Sequence, residues 1–153
     1  MSLILFLVLC FGVAATGSVF TGASLKSWYI TLRKPSWNPP SWLFAPVWTV
    51  LYLLMAAAGW LAWERMPHKF PAWPMVLFGV QLILNAGWSA IFFGLRSPGG
   101  ALAELILLWA SILLTMISFW HVYWIAGLLF IPYFLWVSFA GVLNFYVWKL
   151  NRS

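Results

Sequence analysis

Apolar positions in this chain come in five long runs, and the polar positions collect between them. A helix needs about 20 apolar residues to cross a bilayer. Runs of that length cover roughly residues 3–25, 43–63, 72–95, 99–120 and 123–148. The pattern predicts an all-α integral membrane protein, a single bundle of five transmembrane helices. Apart from the first, residues 26–42, the connections are short, so consecutive helices run antiparallel in one domain, residues 1–153. No linker, repeat or low-complexity tract interrupts it. The first run opens MSLILFLVLC, without the Lys or Arg of a signal-peptide n-region and without an A-x-A site after it. It reads as a membrane helix.

Composition agrees with the pattern. Hydrophobic residues make up 65% of the chain and charged residues 7%, against about 25% charged in soluble domains. There is too little polar surface to coat a globule in water. The net charge of +6 does not indicate a nucleic-acid partner. The basic residues stand singly at the ends of the apolar runs, as membrane proteins place them. Lys26, Arg33, Lys34, Arg96, Lys149 and Arg152 fall on the side of the first loop, the third loop and the C-terminus, whereas Arg65 and Lys69 fall on the other. The positive-inside rule then places the N-terminus outside and the C-terminus in the cytoplasm. Cys10 stands alone, which excludes a disulfide framework and suits a small buried hydrophobe.

The 13 tryptophans sort by depth. Trp60, Trp63, Trp73, Trp120 and Trp124 fit the outer interfacial belt, and Trp28, Trp37, Trp42 and Trp148 the inner one. Trp48, Trp88, Trp109 and Trp136 lie inside the spans, where an indole N–H wants an acceptor. Helical spacing puts Trp48, Tyr52, Met55 and Gly59 on one stripe. Gln81, Asn85, Trp88 and Phe92 make a second; Tyr133, Trp136 or Val137, Ala140 and Asn144 make a third. Polar groups in a span face the bundle interior. Two readings stay open here: Gln81, Asn85 and Asn144 bond neighbouring helices, or they line a ligand pocket.

Catalytic chemistry is sparse. Glu64 sits at a helix end beside Arg65. Glu104 lies inside the fourth span and is expected to reach the interface or pair with Arg96. His68 and His121 lie in loops without a carboxylate or Cys at ligand spacing, so no metal site is expected. Neither a nucleophile elbow nor a phosphate-binding glycine loop is present. Ala86, Ala90 and Gly94 form a small-xxx-small row on the third helix, which suits a dimer seam or close packing inside the monomer. Leu143, Tyr146 and Lys149 match the pattern proposed for cholesterol contact.

SWYITLRKPSWNPPSWLFAPVWTVLY across the first loop and second helix, QLILNAGWSAIFFG on the third and PYFLWVSFAGVLN on the fifth resemble the TspO/translocator protein family, also known as tryptophan-rich sensory proteins or peripheral-type benzodiazepine receptors. The resemblance spans nearly the whole chain. It implies a five-helix bundle, usually a homodimer, that binds tetrapyrroles such as protoporphyrin IX and haem as ligands, with no required cofactor. Animal members also bind sterols, and synthetic benzodiazepine-type compounds occupy the same pocket. Carried over, the ligand set is Trp37, Asn38 and Pro40 from the loop, Trp48 and Tyr52, Asn85 and Trp88, Trp109, and Trp136 and Ala140. The loop 26–42 would act as the pocket lid. Leu143, Tyr146 and Lys149 carry the sterol motif, with Lys where many members have Arg. A bacterial inner membrane is the expected site, or the outer mitochondrial membrane for a eukaryotic chain.

The loop KPSWNPPSW has a physical reading beside this. Pro35, Pro39 and Pro40 stiffen it before a ligand arrives. Trp37 and Trp42 offer flat faces, and Lys26, Arg33 and Lys34 suit propionate groups at the mouth. Three functions follow as expectations. The chain is a receptor that regulates or transfers porphyrin, a light- and oxygen-dependent porphyrin-degrading enzyme using Trp48 and Trp136, or a proton-coupled exporter using Glu104.

Overall fold

The structure, a computed structural model, describes residues 2–67 and 72–152, the side chain of Ala23 excepted. His68 and Lys69, used above in the metal and charge arguments, lie outside the described residues. Five helices carry the fold: α1 (Leu3–Leu25), α2 (Phe44–Arg65), α3 (Trp73–Ser89), α4 (Pro98–Val122) and α5 (Trp124–Asn151). All five, α3 together with its extension to Gly94, are long and apolar enough to cross a membrane. No strand occurs among the described residues. The protein is an all-α, multi-pass integral membrane protein, and each helix starts and ends within a few residues of the run that predicted it.

Local chemistry sets the ends. The Ser2 hydroxyl accepts from the Leu5 amide at 3.3 Å and caps α1. Ser97 caps α4 by accepting from the Gly100 amide at 3.1 Å, and Pro98 follows where a missing N–H costs nothing. Pro132 lies inside α5, a placement membrane helices tolerate because neighbouring groups satisfy the freed carbonyl. A π-helical turn, Ala90–Gly94, extends α3. Arg96 then takes a left-handed conformation, φ 53°, the one that usually falls to Gly past a helix end.

The helices close a ring. α1 packs on α2 and α3, α2 on α5, α5 on α4, and α4 on α3. The first loop folds over one end of this ring through two short 3-10 turns, Tyr29–Thr31 and Ser41–Leu43. At the opposite end the ring is filled by phenylalanines. Phe78 stacks with Phe119 at 5.9 Å, and Phe130 meets Phe119 edge-on at 5.3 Å. Gly59 makes this possible: a Cβ there would stand 2.9 Å from Phe6 and 3.0 Å from Phe78. The end under the loop is packed less completely, and the candidate site lies there.

Candidate functional site

A cavity of about 540 Å³ occupies the half of the bundle nearest the first loop. Small-molecule sites run to roughly 300–1,000 Å³. All five helices reach it. Trp48 comes from α2, Trp88 from α3, and Trp136 and Phe139 from α5; small residues such as Ala14, Gly17 and Ala140 leave the space between them. Ala15 and Ser18 on α1 and Ala45 and Thr49 on α2 line it and are exposed. The cavity therefore opens sideways between α1 and α2.

Tyr52 and Asn85 on its wall begin a chain of hydrogen bonds that runs on into the core. The Tyr52 hydroxyl donates to Asn85 Oδ1 at 2.7 Å, and Asn85 Nδ2 donates to the Tyr133 hydroxyl at 2.7 Å. Tyr133 in turn donates to Gln81 Oε1 at 2.8 Å, and Gln81 Nε2 to the Met55 sulfur at 3.5 Å. Separately, Trp88 Nε1 donates to Asn144 Oδ1 at 2.9 Å while Asn144 Nδ2 donates to the Pro98 carbonyl at 2.8 Å. The bonding between helices that the sequence allowed for Gln81, Asn85 and Asn144 is present in all three. Asn85 and Asn144 also border the cavity.

The loop residues stand at the rim. Trp37 packs edge-on against Phe139 and Tyr146, at 5.7 and 5.8 Å, and stays exposed on its other side. Asn38 accepts from the Tyr29 hydroxyl at 3.4 Å and donates to the Pro39 carbonyl at 3.2 Å. Tyr29 is buried and lines the cavity from above. Burial pushes its hydroxyl above the usual tyrosine value, and the bond to Asn38 offsets this only in part. Pro40 sits in extended conformation before the second 3-10 turn. Trp37, Asn38 and Pro40 do not themselves line the cavity; Tyr29 and Ser41 of the loop do.

Several expectations change. Trp109 lies away from the cavity: its indole N–H donates to the Ser138 hydroxyl at 2.8 Å and its ring leans on Phe134 at 5.2 Å, 36% exposed on the outside of the bundle. Lys34 does not project to the mouth. Its ammonium donates to the Tyr29 and Leu32 carbonyls at 2.8 and 3.2 Å and lies over the Tyr29 ring, so it braces the loop. Glu104 neither pairs with Arg96 nor reaches the interface. Both carboxyl oxygens are buried without a hydrogen-bond partner, and Oε1 lies 3.4 Å from where a Cβ on Gly87 would stand. In the small-residue row, Gly94 is taken up within the chain, since a Cβ there would stand 2.8 Å from the Phe20 ring of α1. Ala86 and Ala90 remain partly exposed. The sterol motif splits: Leu143 is buried on the cavity wall, while Tyr146 and Lys149 are exposed. No group of His, Cys, Asp and Glu converges as a metal site among the described residues.

Sequence reasoning missed the contribution of α1. Phe11, Ala14, Gly17 and Thr21 all line the cavity, yet α1 carries no amide or Trp to mark its inward face. The run of small residues from Ala14 to Ser18 was the available signal.

Comparison with known proteins places these features in context. The model of the TspO/MBR family matches residues 6–149. The chain is 46% identical to the tryptophan-rich protein TspO of Chlorobaculum tepidum, over 99% of this chain and 96% of that protein. It is 43% identical to protein CrtK of Rhodobacter capsulatus, over 99% and 95%. It is 37% identical to the translocator protein of Homo sapiens, over 90% and 82%.

Proposed function

The chain belongs to the TspO/MBR family, and on that premise we propose that it is a membrane receptor for tetrapyrroles such as protoporphyrin IX and haem. Related apolar ligands use the same cavity, and the protein regulates or transfers what it binds. The observation that carries this reading is the convergence of Trp48, Trp88 and Trp136 on one cavity bounded by the Tyr52–Asn85 hydrogen bond. A flat conjugated ring is the ligand shape that such walls reward, at about 0.5–1.5 kcal/mol per offset stack beyond burial. The first loop, braced by Lys34 and by Trp37 on Phe139, acts as a lid already in place before ligand arrives. The porphyrin is ligand here, not a required cofactor.

Light- and oxygen-dependent porphyrin breakdown is the second reading. It is favoured by Trp48 and Trp136 both standing on the cavity wall, where an indole facing the ring is open to oxidation. An exporter is supported less, because Glu104 lies behind Gly87 and off the cavity wall. A homodimer through α3 would use Ala86 and Ala90, since Gly94 already holds Phe20. The C-terminal, first-loop end is assigned to the cytoplasm by its six basic residues.

The test is a titration of the full-length protein in detergent with protoporphyrin IX in the dark, followed by tryptophan quenching and then by illumination. The proposal expects saturable quenching, weakened in Trp136→Phe and Asn85→Ala. Loss of the porphyrin spectrum only in light, abolished in Trp48→Phe and Trp136→Phe, would favour turnover. Non-saturable quenching that the substitutions leave unchanged would remove both readings.

A further inference from the structure

We propose that a second cavity, at the junction of α4 and α5, binds the phosphate of an anionic phospholipid. This cavity, of about 320 Å³, is lined by Arg96, Ser97, Gly99, Trp148 and Arg152 among others. It shares no lining residue with the aromatic cavity. It sits where α4 begins and α5 ends, hence at headgroup depth.

Three features build the site. The Arg152 guanidinium lies over the Trp148 ring at 4.9 Å, which steadies the cation without neutralising it. Arg96 holds a left-handed backbone, φ 53°, at a position past a helix end where Gly would be less strained. The chain keeps a cation there in spite of that strain, an outlier that points to a use for the side chain. At Gly99 a Cβ would stand 2.8 Å from Trp148 Nε1, so only Gly lets the indole edge lie this close to the start of α4.

Charge then selects the ligand. The only carboxyl side chains in the sequence are Glu64 and Glu104. Glu64 lies near the end of α2, at the far side of the bundle, and the oxygens of Glu104 are buried inside the span. Lys26, Arg33, Lys34, Arg96, Lys149 and Arg152 therefore share one end with no side-chain carboxylate to balance them. With at most one terminal carboxylate against six cations, this end leaves most of its counter-charge to an anion from outside the chain. At headgroup depth the fitting anion is a phosphodiester, whose oxygens match the guanidinium fork, and basic pockets between helix ends bind such headgroups. Leu95 and Leu150, both exposed next to this cationic end, supply apolar surface for the acyl chains. A free phosphate would make no use of them.

The experiment is native mass spectrometry of the full-length protein in neutral detergent, titrated with phosphatidylglycerol, with phosphatidylcholine of the same chains, and with inorganic phosphate. The expected result is saturable retention of phosphatidylglycerol, at least about fivefold tighter than phosphatidylcholine, with Arg96→Gly and Arg152→Gln each weakening it about fivefold. Lys26→Gln, which removes one charge at the same end outside the cavity, should change it less than about twofold. Arg96→Gly is the decisive variant, because Gly suits the backbone there and misfolding does not account for a loss. Equal retention of the two lipids would overturn the proposal. So would a Lys26→Gln effect as large as that of the arginines, which would mean diffuse attraction. Inorganic phosphate binding as tightly as phosphatidylglycerol would show a free-anion site in place of a lipid site.

Discussion

Away from the first loop, Phe6, Phe78, Phe119 and Phe130 fill the bundle with hydrocarbon rings set 5.3–6.3 Å apart. Under the loop, Trp48, Trp88 and Trp136 stand around open space instead. Both halves are rich in aromatic rings. They differ in what the backbone allows and in which polar atoms need partners. Gly59 brings α2 close enough for Phe6 and Phe78 to meet over it. In the loop half, Trp88 and the Tyr52–Asn85–Tyr133 chain have polar atoms to satisfy, and their bonds across the bundle fix their orientation before they can fill space. Lipid supplies no hydrophobic drive between helices, so association rests on van der Waals packing and hydrogen bonds. The phenylalanine half relies on the first, and the loop half combines ring contacts and hydrogen bonds with a cavity.

The largest expected contrast comes from deleting a ring in each half. Phe119→Ala should cost about 3–5 kcal/mol, a fall of roughly 10 °C in thermal unfolding in detergent. Trp136→Ala, beside space that already exists, should cost about 1 kcal/mol or less. Equal losses would erase the distinction between the halves.

Glycines give a smaller contrast. Gly59→Leu overfills the closed half and should destabilise by about 1–3 kcal/mol. Gly22→Ala, which meets nothing within 4 Å, should stay within about 0.5 kcal/mol of wild type. Thermal unfolding of the pair measures this directly. A neutral Gly59→Leu would mean that α2 is not held close by its glycine.

The smallest effect tests the join between the halves. Tyr133→Phe removes the hydroxyl that Asn85 donates to and that donates to Gln81. Leaving two amides short of a partner should cost about 1–2 kcal/mol. Infrared amide side-chain bands would report the freed groups. Unchanged stability and bands would show that the network contributes little.

All five spans were legible in the sequence because bilayer thickness imposes a length that few soluble helices meet. The stripes through Trp48 and Tyr52, through Asn85 and Trp88, and through Ala140 and Asn144 were legible for a related reason: amide and hydroxyl groups inside a span turn toward the bundle interior, and the residues one helical turn away go with them. What was not legible depended on neighbours across the bundle. Trp109 shares its depth with Trp88 and Trp136, but α4 turns it toward Ser138, and depth says nothing of rotation. Lys34 looked available for a ligand carboxylate until the loop carbonyls of Tyr29 and Leu32 were brought to it. Glu104 looked within reach of Arg96, yet its carboxyl ends against Gly87 on α3, with both oxygens buried. α1 was silent because its wall of small residues and hydroxyls, Ala14 to Ser18 and Thr21, carries no amide or indole to mark it.

The most direct test of the account fills the cavity and leaves the rest alone. Ala140 lines the space in the loop half, so Ala140→Phe should occupy volume there that a ligand needs. The measurement is the dark protoporphyrin IX titration of Ala140→Phe beside wild type, with thermal unfolding of both. Binding should weaken at least about tenfold, a loss of about 1.4 kcal/mol or more, with the unfolding temperature kept or raised. Unchanged binding in a folded Ala140→Phe would place the ligand elsewhere and leave the loop half as loosely packed bundle.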